Sequence, residues 1–275
     1  MRQFKWFHLS VFLLGILSLP AVAAQDKIEY LALGDSIAFG LDLGVPPVIS
    51  NYIGYPEIVA REAKKQFSGL LNLACPGETS GSFLSLTAPE PTNNCRNFKK
   101  AVGLHTNYEG TQADYAVRLL SSIPQIKLVT ISIGGNDLIL LQELCAGQAD
   151  CIFQNLQATL DTYRSNLTNI LRRIREARYQ GRVVLVTYYS PDYRDPIQTA
   201  AVSALNAVAL QVAALFRVSV ADGFSAFAIA AHPEGGDTCA AGLLLPGHPR
   251  CDVHPSPEGR DLLADTVLRL LPGTE

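Results

Sequence analysis

Four short stretches carry residue types that could do nucleophilic chemistry. The first, LALGDSIAFG at 31–40, ends an apolar run on Asp35 and Ser36, between Gly34 and Gly40. Small neighbours let the chain turn sharply and leave backbone N–H groups free beside the hydroxyl. Ser36 therefore has the setting of a nucleophile, and equally that of a helix N-cap. In the second, LACPGETS at 73–80, Gly77 carries no side chain to keep a ligand oxygen away from a backbone N–H. A Pro-Gly turn tethered at Cys75 is the structural alternative. The third, ISIGGNDL at 131–138, follows two glycines with Asn136, whose amide can donate to a developing oxyanion or stabilise an ordinary turn. The fourth, CDVHPSPEG at 251–259, sets His254 just ahead of Ser256, Pro257 and Glu258. Those three read as a helix N-cap, a first helical residue and an acidic first turn. His254 thus lies on a short, rigid lead-in, as suits a general base.

These stretches can act together only if the fold gathers them. Apolar, β-rich runs at 28–33, 70–73, 126–133, 182–188 and 218–220 predict strands, several of them apolar throughout, as in a parallel sheet covered on both faces. Helical patterns at 56–67, 111–122, 153–179, 197–216 and 257–271 fill the gaps. In the longest, Phe153, Leu156, Leu160, Tyr163, Leu167, Ile170 and Ile174 predict one buried stripe. Arg172, Arg173, Arg175 and Arg178 near its end, and Gly181 beyond, mark its C-terminus. The alternation predicts one doubly wound α/β domain without repeat or linker. Ligands bind such open sheets beyond the carboxyl ends of the strands, and the first three stretches directly follow predicted strands.

Composition narrows the partners and the compartment. The 275 residues, 48% hydrophobic and 17% charged with a net charge of -3, suffice for one large core. With no basic stripe and no polyanionic tail, nothing points to nucleic acid or an anionic membrane surface. Met1, Arg2 and Lys5 precede an apolar stretch at 11–19, Pro20 and the small residues 21–24. This predicts a secretory signal peptide over 1–24, cut after Ala23 or Ala24, with 25–275 as the mature domain. Lys5 and His8 interrupt the run too early for a span of about 20 apolar residues, so no stable membrane insertion is expected after cleavage.

The mature chain keeps six cysteines, an even count that in an exported protein suggests three disulfides. They fall into sequence-local couples: Cys75 with Cys95, Cys145 with Cys151, and Cys239 with Cys251. Cys251 and His254, with Cys239, His248 and His232 nearby, also have the look of a zinc site, which export disfavours.

In order and spacing the four stretches resemble the SGNH (GDSL) hydrolase superfamily. Gly34-Asp35-Ser36 matches its first block, Gly77 its second, Gly134-Gly135-Asn136-Asp137 its third and His254-Pro255 its fifth. The cysteines and YEGTQADYAVRLL at 108–120 further resemble secreted bacterial GDSL esterases or lipases. The resemblance implies a three-layer α/β/α, flavodoxin-like fold with a central, mainly five-stranded parallel sheet. It implies serine-dependent hydrolysis of carboxylic esters through an acyl-enzyme, with Ser36 as nucleophile and His254 as general base. The oxyanion hole would be the Ser36 N–H, the Gly77 N–H and the Asn136 side chain. No metal or organic cofactor is implied, the partner is a small-molecule or lipid ester, and a monomer is expected. The absence of a G-x-S-x-G elbow is also accounted for.

The ending departs from the family's usual D-x-x-H. Cys251 holds the acid's place and Asp252 comes one residue late. Either Asp252 reaches His254 from a shifted loop, or a backbone carbonyl near Cys251 orients the ring. Carbohydrate deacetylases and thioesterases share the chemistry, and a non-catalytic secreted binding module could share the fold. For the acyl pocket, Phe83, Leu84, Leu86, Phe98 and Leu104 in the irregular segment 81–110 are candidates, or simply local packing of a stapled loop.

Overall fold

Five apolar runs pair side by side into one parallel sheet: β1 (Tyr30–Gly34), β2 (Leu70–Asn72), β3 (Leu128–Ser132), β4 (Arg182–Val186) and β5 (Ser219–Ala221). The computed structural model describes residues 28–247 and 251–272, and the signal peptide expected at 1–24 lies outside the described residues. Strand order is β2-β1-β3-β4-β5, the flavodoxin-like order. Every residue of β1 and β3 is buried, because helices cover both faces of the sheet.

On one side α2 (Tyr55–Glu62) and α8 (Gly223–Ala231) pack against α9 (Pro257–Leu268). On the other, α4 (Gln112–Ser122), α5 (Gly135–Leu144) and α7 (Pro196–Leu215) pack against α6 (Ala149–Glu176). Right-handed crossovers require this division: the chain moves one way from β1 to β2 and the opposite way from β2 to β5. The reversal opens a crevice beyond β1 and β3. Ser36 and Asn136 stand just after these two strands.

Some details differ from the sequence expectations. The long helix starts at Ala149, its buried residues begin only at Leu160, and Phe153 is 82% exposed. Hydrophobic spacing shows which face of a helix is apolar, but not how far the covering layer extends. The segment 81–110 contains a helix, α3 (Cys95–Ala101), capped by the Asn94 side chain. Another helix, α5, follows β3 directly, and an antiparallel pair, β6 (Leu244–Pro246) and β7 (Cys251–Pro255), precedes α9. These are short elements with weak periodicity, which tertiary packing stabilises rather than local propensity.

Disulfides join Cys75 to Cys95, Cys145 to Cys151 and Cys239 to Cys251. The last bond takes both thiolates from the zinc constellation, whose His248 lies outside the described residues. The same holds at Cys75, Glu78 and Cys95, where the two sulfurs that converge with a carboxylate are bonded to each other.

Candidate active site

The end of β1 is held on several sides. Gln112, the first residue of α4, accepts the Gly34 N–H at 2.7 Å and donates to the Gly34 carbonyl at 3.0 Å, as a neighbouring strand would. Asp35 then caps the one-turn helix α1 (Ser36–Phe39), its carboxylate accepting the Ile37 N–H at 3.0 Å. Capping therefore belongs to Asp35, and Ser36 is the first helical residue. Among the described residues, neither the Ser36 N–H nor its hydroxyl has a hydrogen-bond partner.

Asn136 reaches the same place from β3. Gly134 has φ 125° and passes so close to Tyr163 that a Cβ there would lie 2.5 Å from the ring. This tight turn starts α5, whose buried Asn136 donates to the Glu78 carbonyl at 3.0 Å and, at 3.4 Å, to Asp35 Oδ2. The second contact is at the weak limit for a hydrogen bond, so one amide proton can turn to a stronger acceptor. Gly77 has φ 78°, and a Cβ there would stand 1.9 Å from the Asn93 carbonyl. The close approach of that strand of chain is what demands glycine, and the Gly77 N–H has no acceptor among the described residues.

The lead-in carrying His254 is the strand β7. Alternate residues of a strand share a face, so Asp252 and His254 point the same way, and Asp252 Oδ2 lies 2.9 Å from His254 Nδ1. A D-x-H in a strand brings acid and base together as a D-x-x-H does in other backbone. The intervening Val253 turns its carbonyl to Tyr189 Oη, a donor at 2.5 Å. Burial acts to raise the Asp252 carboxyl, but the hydrogen bond and charge of His254 and the backbone N–H groups of Val253 and His254 outweigh it and hold it below its ordinary value.

Ser36, Gly77, Asn136, Asp252 and His254 all line one cavity of about 550 Å³. α1 packs directly on β7. Ser36 Oγ and His254 are not directly hydrogen-bonded, a separation common before substrate tightens such sites. Of the apolar residues in 81–110, Phe98 lines this cavity, whereas Phe83 and Leu104 are core residues. Asn166, in the sequon Asn166-Leu167-Thr168, sits within α6 and donates to Ser80 Oγ at 3.0 Å.

Other residues of the site are invisible to motif reading. Tyr188 donates to Asp35 Oδ2 at 2.5 Å, and its backbone is held from α7 by Asn206, which accepts its N–H at 3.0 Å and donates to its carbonyl at 2.7 Å. The one legible signal is Asn206 itself, the single polar residue on the otherwise apolar buried face of α7. Burial pushes the Asp35 carboxyl up from 3.8 to about 6, against the Tyr188 hydrogen bond, the Ile37 N–H and the His254 charge, with Asp137 adding to the rise.

A carboxyl raised in the folded state binds its proton more tightly there than in the unfolded chain. Stability contributed by Asp35 therefore declines as pH rises from 3.8 to about 6. Tyr188→Phe removes a donor that counts most against the ionised form. It is expected to destabilise the protein by about 1.5–3 kcal/mol at neutral pH, where the bond is charge-assisted, and by clearly less once Asp35 is protonated in acid. Urea unfolding of wild type and variant at the two pH values measures this, and equal losses at both would place no charge on the bond.

The GDSL-like lipase/acylhydrolase family model matches residues 32–262. No protein of curated function matches the sequence. Solved structures share its fold. A phospholipase A1 from Streptomyces albidoflavus NA297 is 19% identical, aligned over 89% of this chain and 99% of its own with a TM-score of 0.58. An extracellular lipase from Streptomyces rimosus is 20% identical over 88% of this chain and 99% of its own, with a TM-score of 0.57. A catalytic mutant of an acetylxylan esterase from Geobacillus stearothermophilus is 19% identical over 89% of this chain and 94% of its own, with a TM-score of 0.54.

Proposed function

The chain belongs to the GDSL-like lipase/acylhydrolase family, and from that premise we propose that it is an exported serine esterase or lipase working through an acyl-enzyme on Ser36. The observation that carries this reading is the meeting of Ser36, Gly77, Asn136 and the Asp252–His254 pair around one cavity.

In this mechanism His254 Nε2 takes the Ser36 proton as Oγ bonds to the ester carbonyl carbon. Asp252 keeps the other ring proton on Nδ1, so that Nε2 faces the nucleophile with its lone pair. The carbonyl oxygen gains charge between the Ser36 N–H, the Gly77 N–H and the Asn136 amide. The intermediate then breaks its bond to the alcohol oxygen, which leaves with the proton from His254. Water repeats the sequence on the acyl-enzyme and releases the acid. Three disulfides suit an oxidising compartment and support export.

Two measurements test the reading. A fluorophosphonate probe labels the mature protein stoichiometrically and does not label Ser36→Ala; an unlabelled wild type would make the chain a binding module on a hydrolase fold. Asn136→Ala loses about 10²–10³ in kcat on a short p-nitrophenyl ester with KM nearly unchanged, since the donor acts on charge that exists only in the transition state. A change confined to KM would remove Asn136 from the oxyanion hole.

A further inference from the structure

Two cavities open on Ser36, and they differ in character. Ser36, Asn136, Ile139 and Val253 line both. Gly77, Asp252 and His254 line only the larger one. The smaller, of about 120 Å³, runs between α5, α6 and α7, with walls built from Leu138, Leu156, Ala201, Val202 and Leu205. Two of its polar lining groups, Asp35 and Tyr188, are hydrogen-bonded to each other.

On the hydrolase reading of the preceding subsection, the reacting carbon carries four groups: Ser36 Oγ, the oxyanion, the leaving oxygen and the acyl chain. The leaving oxygen must receive its proton from His254, which places the alcohol in the larger cavity. The oxyanion faces Gly77 and Asn136. Only the smaller, aliphatic cavity remains for the acyl chain. Its size bounds that chain, because an aliphatic cavity of about 150 Å³ holds six carbons as benzene.

The larger cavity describes the alcohol. Its lining is mixed: an apolar wall with Leu41, Leu43 and Phe98 faces Thr92, three asparagines at 93–97 and the carboxylates of Glu143 and Asp252, with no lysine or arginine. Glu143 is occupied by the Thr92 N–H at 2.9 Å. The side-chain amides of Asn93 and Asn97 make no hydrogen bond among the described residues and are free for hydroxyl groups. A phosphate would meet two carboxylates there and no counter-charge.

We infer that the α5–α6–α7 pocket is an acyl site for aliphatic chains of about four to six carbons, and that the asparagine-lined cavity receives an uncharged, hydroxyl-bearing alcohol. The inference rests on the hydrolase reading but fails separately from it.

The test is a p-nitrophenyl series from acetyl to decanoyl on wild type, Ala201→Phe and Leu156→Ala, with fluorophosphonate labelling of each. In wild type, kcat/KM is expected to rise about fourfold per added methylene and to peak at butanoyl to hexanoyl. Ala201→Phe fills the pocket and lowers the hexanoyl-to-acetyl ratio by about tenfold or more, whereas Leu156→Ala enlarges it and moves the peak to longer chains. A labelled wild type whose ratio is unmoved by either variant overturns the acyl site. So does a preference for acetyl over every longer chain. For the alcohol, glyceryl butanoate is cleaved at least about tenfold faster than the same ester on a glycerophosphate head group, and equal or reversed rates overturn that half. Failure of the wild type to label overturns the hydrolase reading itself.

Discussion

Ser36→Ala lowers kcat on a short p-nitrophenyl ester by on the order of 10⁶-fold, and His254→Ala by a comparable factor. In the proposed mechanism the two act as one unit, so the double variant is expected to be hardly worse than either alone, with a residual rate from binding and the remaining oxyanion donors. Folding does not depend on the serine hydroxyl. α1 is capped by Asp35, and Ser36 Oγ has no hydrogen-bond partner among the described residues. Ser36→Ala therefore keeps the wild-type Tm while losing turnover. Measured rates within about tenfold of wild type for either variant would remove that residue from the mechanism.

Asp252→Asn is expected to cost about 10⁴ in kcat, because an amide that donates to Nδ1 forces the imidazole proton onto Nε2, where the base must accept. The two candidates for orienting His254, a carboxylate and a carbonyl near Cys251, predict opposite outcomes here. With Asp252 Oδ2 at 2.9 Å from Nδ1, the large loss is expected, and a loss below about tenfold would return the role to the carbonyl. Stability gives an independent readout. The Asp252 carboxyl is held below its ordinary value of 3.8, so its stabilising contribution is complete above that value and disappears as pH falls through the lower, folded-state value. The Tm difference between wild type and Asp252→Asn should accordingly narrow as the solution is acidified below about pH 4.

Much of the architecture was legible from pattern. Continuous apolar runs separated by amphipathic stretches dictate a parallel sheet between helices, since each run must be covered on both faces. The four chemical stretches were equally visible, because glycine, serine, asparagine and histidine next to strand ends are local facts of residue type. Phe153 shows the limit of such reading: its spacing places it on the apolar face of α6, yet nothing covers it.

The residues supporting the site lie beyond sequence reading for a related reason. Tyr188 and Asp35 are 153 positions apart, and Gln112 and Gly34 are 78 apart. Hydrogen bonding has no period in sequence, and only the packed layers decide which buried polar groups must satisfy one another. The pocket proposed for the acyl chain is likewise illegible in sequence, because it is lined by aliphatic side chains from three helices that any core would contain.

The sequence by itself determined the strand and helix alternation, the position of Ser36 at a strand end and the histidine ahead of the last helix, because short-range sterics and hydrophobic periodicity act along the chain. Tertiary structure decided that Asp252 rather than Cys251 stands beside His254, that Tyr188 is tied to Asp35, and that two cavities share Ser36. Those outcomes depend on backbone direction in β7 and on the order in which strands pair, and both are set by contacts between distant segments.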